Sequence, residues 1–454
     1  MATLNVWMNG ELVGEWTASR SGNSIFRYAR AWIESPHARA ISLSLPLTAD
    51  REIRGSVVDH YFDNLLPDNP DIRRRIRDRL HLRTTETFDL LAAIGRDCVG
   101  AVQLLPPDET AAEWNRIDAL PLSNADVERI LRNVTAPSPL GQTIDGDTEF
   151  RISNAGEQEK TALLHLGYRW YLPRSMTPTT HNLKLPLGLI GSFRGDFSHS
   201  VENECLCSRL LGQLGLPVAE TRIATFGAQK ALVVRRFDRR WVGADIPRIE
   251  TRGYSPPKGV WIARLPQEDF CQATGRPPSQ RYESDGGASM NEILNLLSAS
   301  ASAEADRAQL VLAQLAFWLL AATDGHSKNF SIHLQPGGAF ALTPLYDVLS
   351  AWPVIGRGAN RISLQEAKLA MAVAGRNKHY RLREIQARHW HDLAMRVGGT
   401  DLWHRMQQLV DDAPAALDSV AAELPADFPE VVTSRIRGGV EAQRARFLAG
   451  IAGR

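Results

Sequence analysis

Three oxygen-bearing side chains in the C-terminal half of the sequence have the types and spacing that phosphoryl transfer requires. Asp324 stands five positions before Asn329 in the segment ATDGHSKNF, and Asp347 follows in the sequence Tyr-Asp-Val. In catalytic loops with this spacing, the Asp accepts a hydroxyl proton and the Asn holds magnesium. Magnesium prefers few protein oxygens beside water and phosphate oxygens. The pattern therefore predicts Asp324 as a base and Asn329 and Asp347 as metal ligands.

The stretch between Asn329 and Asp347 predicts how these two residues come together. Residues 330–334 and 339–343 form two arms of equal length around Gln-Pro-Gly-Gly, which favours a hairpin. Because antiparallel arms return the chain to its starting point, we expect Asn329 and Asp347 to be neighbours. The alternative is that Asp324 caps the end of a helix and Asp347 is a turn residue. Spacing alone leaves both interpretations open.

Phosphoryl transfer also needs a cation at the α- and β-phosphates, which is normally a strand lysine fixed by a helix glutamate. Lys184 lies between two leucines in an extended run, and a helix predicted at about 201–214 follows it. Glu204 is the favoured ion-pair partner, with Glu202 close behind. Lys184 could instead protect a sheet edge, and the glutamates could simply interact with the helix dipole.

A polar loop at 151–160, with the sequence RISNAGEQEK, leads into an apolar run. Such a loop could hold nucleotide phosphates through its backbone N–H groups. It contains a single glycine and is not a GxGxxG motif, so an ordinary loop is the open alternative.

The elements that must position these residues are predicted from hydrophobic periodicity. Asn9-Gly10 between two apolar runs is typical of a β-hairpin. Ile72, Ile76 and Leu80 share one face of a helix whose other faces carry arginines, which we interpret as a solvated surface. Further along, the pattern predicts a connecting region at 106–145, a mixed α/β layer at 180–236, a buried helix at 310–322, and mainly helices from about 291 onward.

Composition excludes several classes of protein. The 454 residues exceed what one core usually supports, so two or more subdomains are expected. The 52 Lys and Arg balance 51 Asp and Glu, so overall charge gives no attraction to nucleic acid and any such contact needs a local patch. The four cysteines form no CxxC pair, which argues against a zinc site or a disulfide framework. The first residues lack the pattern of a secretion signal and 310–322 is too short to cross a bilayer, so we expect a cytoplasmic protein.

Beyond these patterns, the sequence resembles the HipA toxin kinases of HipBA-type toxin–antitoxin modules. The similar motifs follow one another in order over most of the chain, and several are long enough to be specific. They are VWMN at 6–9, SLSLPL at 42–47, FDNLLPD at 62–68, IGRD at 94–97, the loop around Ser153, RFDRR at 236–240, RLPQED at 264–269, YESDGG at 282–287, TDGHSKNF at 323–330 and YD at 346–347.

The resemblance implies an ATP- and magnesium-dependent serine/threonine-protein kinase with an α+β, protein-kinase-like two-lobed fold. The implied parts are an N-terminal α/β subdomain at 1–145, a nucleotide-binding lobe at 146–260 and an all-helical C-terminal lobe at 261–454. Asp324, Asn329 and Asp347 match the family's base and metal ligands. Ser153 matches a serine whose autophosphorylation ejects its loop. The implied nucleotide contacts are Ala155, Gly156, Glu157, Gln158, Glu159, Lys160, Lys184, Arg235, Arg236, Phe237, His326, Ser327, Lys328, Asn329, Tyr346 and Asp347.

The resemblance also implies partners. Members of the family bind a small helix-turn-helix antitoxin of the HipB type, which recognises operator DNA, and their best-known substrate is glutamyl-tRNA synthetase. Arg376, Lys378 and Arg381 could contact DNA phosphates, although solvated charge is the favoured interpretation. Two departures stand out: Arg235 replaces a usually acidic hinge residue, and the connection at 241–263 is longer than expected. A DNA-bound corepressor with vestigial kinase activity and a small-molecule phosphotransferase are the alternative functions.

Overall fold

The structure is a computed structural model, and it describes residues 2–19, 23–135, 158–190, 195–243, 259–375 and 377–452. Several residues singled out in the sequence lie outside these ranges. They are Ser153, Ala155, Gly156, Glu157, Arg376 and most of the connection at 241–263.

The chain divides into two compact units, each built from segments that are separate in sequence. The first unit comprises Met1–Leu185, Ala224–Ser279 and His333–Ala339. The second comprises Pro186–Ile223, Gln280–Ile332 and Phe340–Arg454. The three-part division with boundaries after residues 145 and 260 stays a prediction.

An antiparallel five-stranded sheet opens the first unit. Its predicted first hairpin is confirmed: Asn9 and Gly10 adopt φ angles of 45° and 87° between two paired strands, as the left-handed residues of such a turn must. Trp16 stacks on Phe62 with ring centroids 4.0 Å apart in the core beneath the sheet. In order across the sheet the strands are Glu52–Arg54, Ile25–Tyr28, Glu11–Ala18, Ala2–Met8 and Gln103–Leu105, and the helices nearby in sequence are Arg30–Ile33, Ser56–Asp63, Pro70–Arg79 and Thr87–Ile94.

A six-stranded sheet follows, and it corrects the predicted connecting region at 106–145. That region contains the strand Ala119–Leu122 and the helix Asn124–Thr135. The helix buries Val127 and Leu131 completely, a periodic apolar face that the polar composition of its flanks concealed. In order across the sheet the strands are Thr221–Phe226, Gln229–Arg235, His181–Lys184, Lys160–Leu166, Arg169–Pro173 and Ala119–Leu122.

Shorter elements complete the account of the strands. Gly188–Ile190 pairs with Gly195–Phe197, and Arg239–Val242 pairs with Trp261–Arg264. The strand Gln267–Asp269 leads into the short helix Phe270–Ala273, whose first turn is held by a capping box between Asp269 and Gln272.

Long helices dominate the second unit. The predicted buried helix is confirmed as Ala303–Leu320, in which the residues from Leu310 to Leu320 are all buried. Within the described residues, no helix is long and apolar enough to cross a membrane. The other α-helices described in this unit are Ser200–Gln213, Met290–Leu296, Ala387–Val397, Gly399–Ala422 and Glu430–Ala452.

The C-terminal region is not all-helical, contrary to the prediction. Lys368–Ala374 and Lys378–Arg381 form an antiparallel hairpin, and the strands Ser331–Leu334 and Phe340–Leu342 lie earlier in the same region. The residues of Lys368–Ala374 have the composition of a helix, KLAMAVA, but five of the seven are buried. Tertiary burial overrides weak local propensity here, because a strand lets the segment pack both of its faces.

Candidate active site

The loop that carries Asp324 begins where the helix Ala303–Leu320 ends. The helix is capped by Ala321 in the left-handed conformation, with a φ angle of 49°, so Asp324 is not the capping residue. The side-chain amide of Asn329 donates to the Asp324 carbonyl at 2.7 Å, and the His326 N–H donates to the same oxygen at 2.8 Å. The Asp324 side chain itself is 45% exposed. A rigid loop therefore presents a carboxylate that a substrate can reach.

The predicted hairpin after Asn329 is present. Its base is closed by the Thr343 N–H, which donates to the Ser331 carbonyl at 2.9 Å. The Tyr346 hydroxyl donates to the Lys328 carbonyl at 2.8 Å and lies 2.5 Å from the Ser331 hydroxyl. The bond to Lys328 joins Tyr346, which precedes Asp347, to the residue that precedes Asn329.

Asp347 itself has a φ angle of 56°. A left-handed backbone is uncommon for any residue other than glycine and is often found at functional sites. The turn after the hairpin therefore fixes the direction in which the Asp347 side chain leaves the chain.

Tyr282, for which the sequence predicted no separate role, contacts the carboxylate of Asp324. The Tyr282 hydroxyl donates a short hydrogen bond to Asp324 Oδ1, and its ring meets the His326 ring edge-on with centroids 5.0 Å apart. His326 Nε2 lies 3.9 Å from the same carboxylate oxygen. Burial raises the pKa of Tyr282 above its usual range, and the negative charge of Asp324 raises it further. The hydroxyl therefore keeps its proton and acts as a donor.

Ser327 and Lys328 complete the loop as buried residues. The Ser327 N–H and hydroxyl both donate to the Arg281 carbonyl, at 3.2 and 2.8 Å. Residues 281 and 282 thus hold the loop through a carbonyl on one side and a phenol on the other. The only signal for this in the sequence was the YESDGG motif, which carried no chemistry by itself.

In the first unit, two lysines predicted to contact nucleotide lie opposite each other. Lys160 and Lys184 are paired across adjacent antiparallel strands and are 7% and 3% exposed. Residues directly opposite share one face of a sheet. The strand of Lys184 is central in its sheet, which excludes the interpretation of Lys184 as an edge residue. Two buried ammonium groups on one face suit the charge of nucleotide phosphates.

The loop before Lys160 is tied to the strand end after Lys184. The Leu185 N–H donates to the Glu159 carbonyl at 3.1 Å, and the Gln158 side chain donates to the Leu185 carbonyl at 2.7 Å. The Glu159 carboxylate forms an ion pair with Arg75. Of the residues predicted to line the phosphate loop, Gln158 and Glu159 therefore contact other parts of the first unit through their side chains.

The residues at 235–237 occupy three different environments. Arg235 is exposed, and the Phe237 ring meets His333 edge-on with centroids 5.7 Å apart. The Arg236 guanidinium is buried and donates to Asp238 at 2.8 and 2.9 Å and to Thr179 at 2.9 Å. Its side chain is therefore engaged within the protein, and any contact of this position with nucleotide would involve the backbone.

The helix Ser200–Gln213 carries the predicted partner of Lys184. Glu204 and Glu202 are 4% and 3% exposed, which is unusual for carboxylates whose only role is to interact with a helix dipole. Lys184 belongs to the first unit and Glu204 to the second, and their ion pair stays a prediction.

The donor set in the second unit fits magnesium better than a transition metal. Within the described residues, no group of three or more His, Cys, Asp or Glu side chains is placed to hold a metal ion. Asn329 and Asp347 provide one amide and one carboxylate on hydrogen-bonded segments. Two protein oxygens leave room for the water and phosphate oxygens that magnesium retains.

Comparisons with known proteins identify the family of this chain. The family model described as the HipA-like C-terminal domain matches residues 152–423, and the HipA N-terminal domain matches residues 4–105. A putative kinase, Y4mE, from Sinorhizobium fredii is 33% identical over 92% of this chain and 91% of its own length. The serine/threonine-protein kinase toxin HipA from Shewanella oneidensis is 27% identical over 77% of this chain and 75% of its own.

The fold is also similar to a solved structure. In the Shewanella oneidensis complex of HipA, HipB and operator DNA, one chain superposes with a TM-score of 0.78 and 23% identity, covering 99% of this chain and 98% of that one. The C-terminal family match alone spans more than half of the sequence. The chain therefore belongs to the HipA family and is a kinase of the HipA type.

Proposed function

We propose that this protein is the serine/threonine-protein kinase toxin of a toxin–antitoxin module and that it uses ATP with magnesium. The observation that carries the proposal is the fixed loop around Asp324, in which Asn329 and Tyr282 both bond to that residue. The relative from Shewanella oneidensis, which is named a serine/threonine-protein kinase toxin, supports the assignment to this class.

The predicted site residues then have the following roles in phosphoryl transfer. Asp324 takes the proton of an acceptor hydroxyl as that oxygen bonds to the γ-phosphorus, and ADP is the leaving group. Asn329 and Asp347 would hold magnesium, which when bound neutralises charge on the phosphate oxygens. Lys184 and Lys160 supply positive charge for the nucleotide. The proposed further contacts are Ala155, Gly156, Glu157, Gln158, Glu159, Arg235, Arg236, Phe237, His326, Ser327, Lys328 and Tyr346.

The proposed layout is that of a two-lobed protein kinase, and the proposed regulation and partners follow the family. We propose that Ser153 is autophosphorylated and that the added charge disables nucleotide binding. A HipB-type antitoxin and operator DNA are the proposed partners in the cytoplasm, and glutamyl-tRNA synthetase is the proposed substrate. The solved complex of the Shewanella oneidensis protein with HipB and operator DNA supports the first two. Lys378 and Arg381 have side chains that are 60% and 61% exposed and that pair with Glu283 and Glu384, so a DNA phosphate would have to compete with these ion pairs.

The proposed base is tested by Asp324→Asn, which keeps the size of the side chain and removes its basicity. We expect the rate of magnesium-dependent transfer from radiolabelled ATP to protein to fall by about 10²- to 10⁴-fold, the usual contribution of a general base. Asp418→Asn, at a carboxylate with 68% exposure in a surface ion pair, is the matched control and should retain full activity. An Asp324→Asn protein that works at the wild-type rate would remove the foundation of the proposal.

The alternative of a DNA-bound corepressor with vestigial kinase activity predicts a different result. Wild-type protein would then fail to bind ATP in calorimetry, yet would form a stable complex with antitoxin and operator DNA. The solved complex of a protein with this fold keeps the alternative open, since it contains operator DNA. Nucleotide binding by the purified wild-type protein decides between the two.

A further inference from the structure

Tyr282 contacts Asp324 but has no role in the phosphoryl transfer described above. Its hydroxyl bonds to Oδ1 of the carboxylate, while Asn329 and His326 hold the backbone carbonyl of the same residue. The backbone of Asp324 is therefore fixed by the loop, and Tyr282 acts on the reacting group itself. The carboxylate that Tyr282 restrains is 45% exposed, so a substrate can reach it.

The backbone around Tyr282 is itself rigidly held. The Asp285 and Gly287 N–H groups both donate to the Tyr282 carbonyl, at 2.9 and 2.8 Å, in a tight turn. A Cβ atom at Gly287 would lie 2.6 Å from the carbonyl oxygens of Gln280 and Tyr282, so the turn requires glycine at that position. The phenol is thus placed by a backbone with little freedom.

The next residue anchors this turn to the hairpin of Lys368–Ala374 and Lys378–Arg381. Glu283 has a side chain that is 3% exposed and forms an ion pair of 2.8 Å with Lys378. Its second oxygen accepts the Ala372 N–H at 2.7 Å. A buried carboxylate with both oxygens satisfied is costly to displace. The hairpin therefore fixes the turn, and the turn fixes the phenol.

We propose that Tyr282 is a positioning residue for Asp324: its hydroxyl holds the carboxylate in the orientation that accepts the proton of the acceptor hydroxyl. The proposal rests on the proposed role of Asp324 as base. Tyr282 is a donor to Asp324 and exchanges no proton in the reaction. Small errors in the placement of a reacting group lower the rate by large factors. Loss of the Tyr282–Asp324 hydrogen bond should therefore lower kcat and leave nucleotide affinity unchanged.

The test separates the hydroxyl of Tyr282 from its ring. Tyr282→Phe removes only the hydrogen bond and keeps the edge-on contact with His326, whereas Tyr282→Leu removes both. For Tyr282→Phe we expect kcat to fall by about 10- to 100-fold, with the KM for ATP unchanged within about twofold. Tyr168→Phe is the matched control, since Tyr168 is 86% exposed in the first unit, and it should behave as the wild type.

Each other outcome counts against the proposal. Normal kcat in Tyr282→Phe with a defect only in Tyr282→Leu would assign the effect to ring packing. A parallel loss of kcat, ATP affinity and melting temperature in Tyr282→Phe would assign it to folding. Asp324→Asn is measured alongside: if that variant is inactive, failure of the Tyr282 prediction leaves the base in place, and if it is active, both proposals fail.

Discussion

Individual buried carboxylates in the first unit are stabilised in two different ways. Burial would raise the pKa of Asp238, but the guanidinium groups of Arg236 and Arg239 and their hydrogen bonds hold that pKa at about 2. Burial raises the pKa of Glu268 to about 8, because hydrogen bonds from Ser42 and the Leu43 N–H only partly oppose it. Asp238 is therefore ionised at neutral pH, and Glu268 is largely a neutral acid that is fully buried.

The neutral state of Glu268 predicts a pH-dependent stability. Between an unfolded pKa of about 4.5 and a folded pKa of about 8, the folded chain keeps a proton that the unfolded chain loses, so the free energy of unfolding falls as pH rises. Glu268→Gln mimics the protonated form and removes this slope. As the pH rises from 5 to 8, the free energy of unfolding of Glu268→Gln should increase relative to that of the wild type by up to about 4 kcal/mol.

Urea unfolding of wild type and Glu268→Gln at several pH values measures this difference. Glu34→Gln, whose side chain is 64% exposed in a surface ion pair, is the control and should follow the wild type. Identical slopes for wild type and Glu268→Gln would show that Glu268 is ionised in the folded protein.

The chemical roles of residues could be predicted from the sequence only where the residues lie close together in the chain. Asp324 and Asn329 are five positions apart, and that spacing suggested both roles. Tyr282 lies 42 positions before the carboxylate that it contacts, and no periodicity links the two. A lone tyrosine in a turn is chemically uninformative until the fold brings it to the loop.

At the scale of elements, two adjacent glycines in the helix Glu430–Ala452 should respond oppositely to the same substitution. A Cβ atom at Gly438 would meet nothing within 4 Å, whereas one at Gly439 would lie 2.2 Å from the Trp352 ring. Gly438→Ala should therefore stabilise the protein by about 0.5–1 kcal/mol through helix propensity. Gly439→Ala should destabilise it by about 1–3 kcal/mol or more, because the ring cannot move freely within the core.

Thermal or urea unfolding of the two variants is a matched comparison, since the residues differ only in the face of the helix that they occupy. Equal effects at both positions would contradict the close approach of this helix to Trp352. The two glycines cannot be told apart from the sequence, because a helix tolerates either one in isolation.

Elements with strong local signals were predicted correctly, and those defined by tertiary burial were not. Asn9-Gly10 specifies its turn through backbone sterics, and the apolar run within Ala303–Leu320 has no alternative to a buried helix. Lys368–Ala374 is a strand because of its surroundings, and Asn124–Thr135 is a helix hidden in a polar region. Both predictions were wrong because the local sequence of these segments favours a different secondary structure or no regular structure.

At the scale of the whole molecule, motifs that are far apart in the sequence meet in one buried network. Asp97, Asp238, Arg236, Arg239 and Arg264 lie in the first unit, each 9% exposed or less. Asp97 Oδ1 accepts from Arg239 at 3.0 Å and from Arg264 at 3.1 Å. Charged side chains of the motifs at 94–97, 236–240 and 264–269, which resembled the HipA family, therefore join three regions of the chain.

Asp97 is the residue on which this network depends most. Its Oδ2 accepts the Thr179 hydroxyl at 2.6 Å and the Thr179 N–H at 3.1 Å, and it lies 3.5 Å from Arg236. Asp97→Asn would remove the negative charge that three buried guanidinium groups approach, those of Arg236, Arg239 and Arg264. Removing one partner from a buried ionic network typically costs about 3–5 kcal/mol, because the remaining charges cannot be solvated.

We therefore expect Asp97→Asn to lower the free energy of unfolding by roughly this 3–5 kcal/mol, as measured by urea unfolding at neutral pH. Asp411→Asn, at a surface ion pair with 53% exposure of the carboxylate, is the control and should change it by less than about 1 kcal/mol. Acid should weaken the same network in the wild type. The ionised Asp238 contributes to the free energy of unfolding above pH 3.8, and this contribution is lost as the pH falls through about 2. Equal stability of Asp97→Asn and Asp411→Asn would mean that the arginines are held by packing alone.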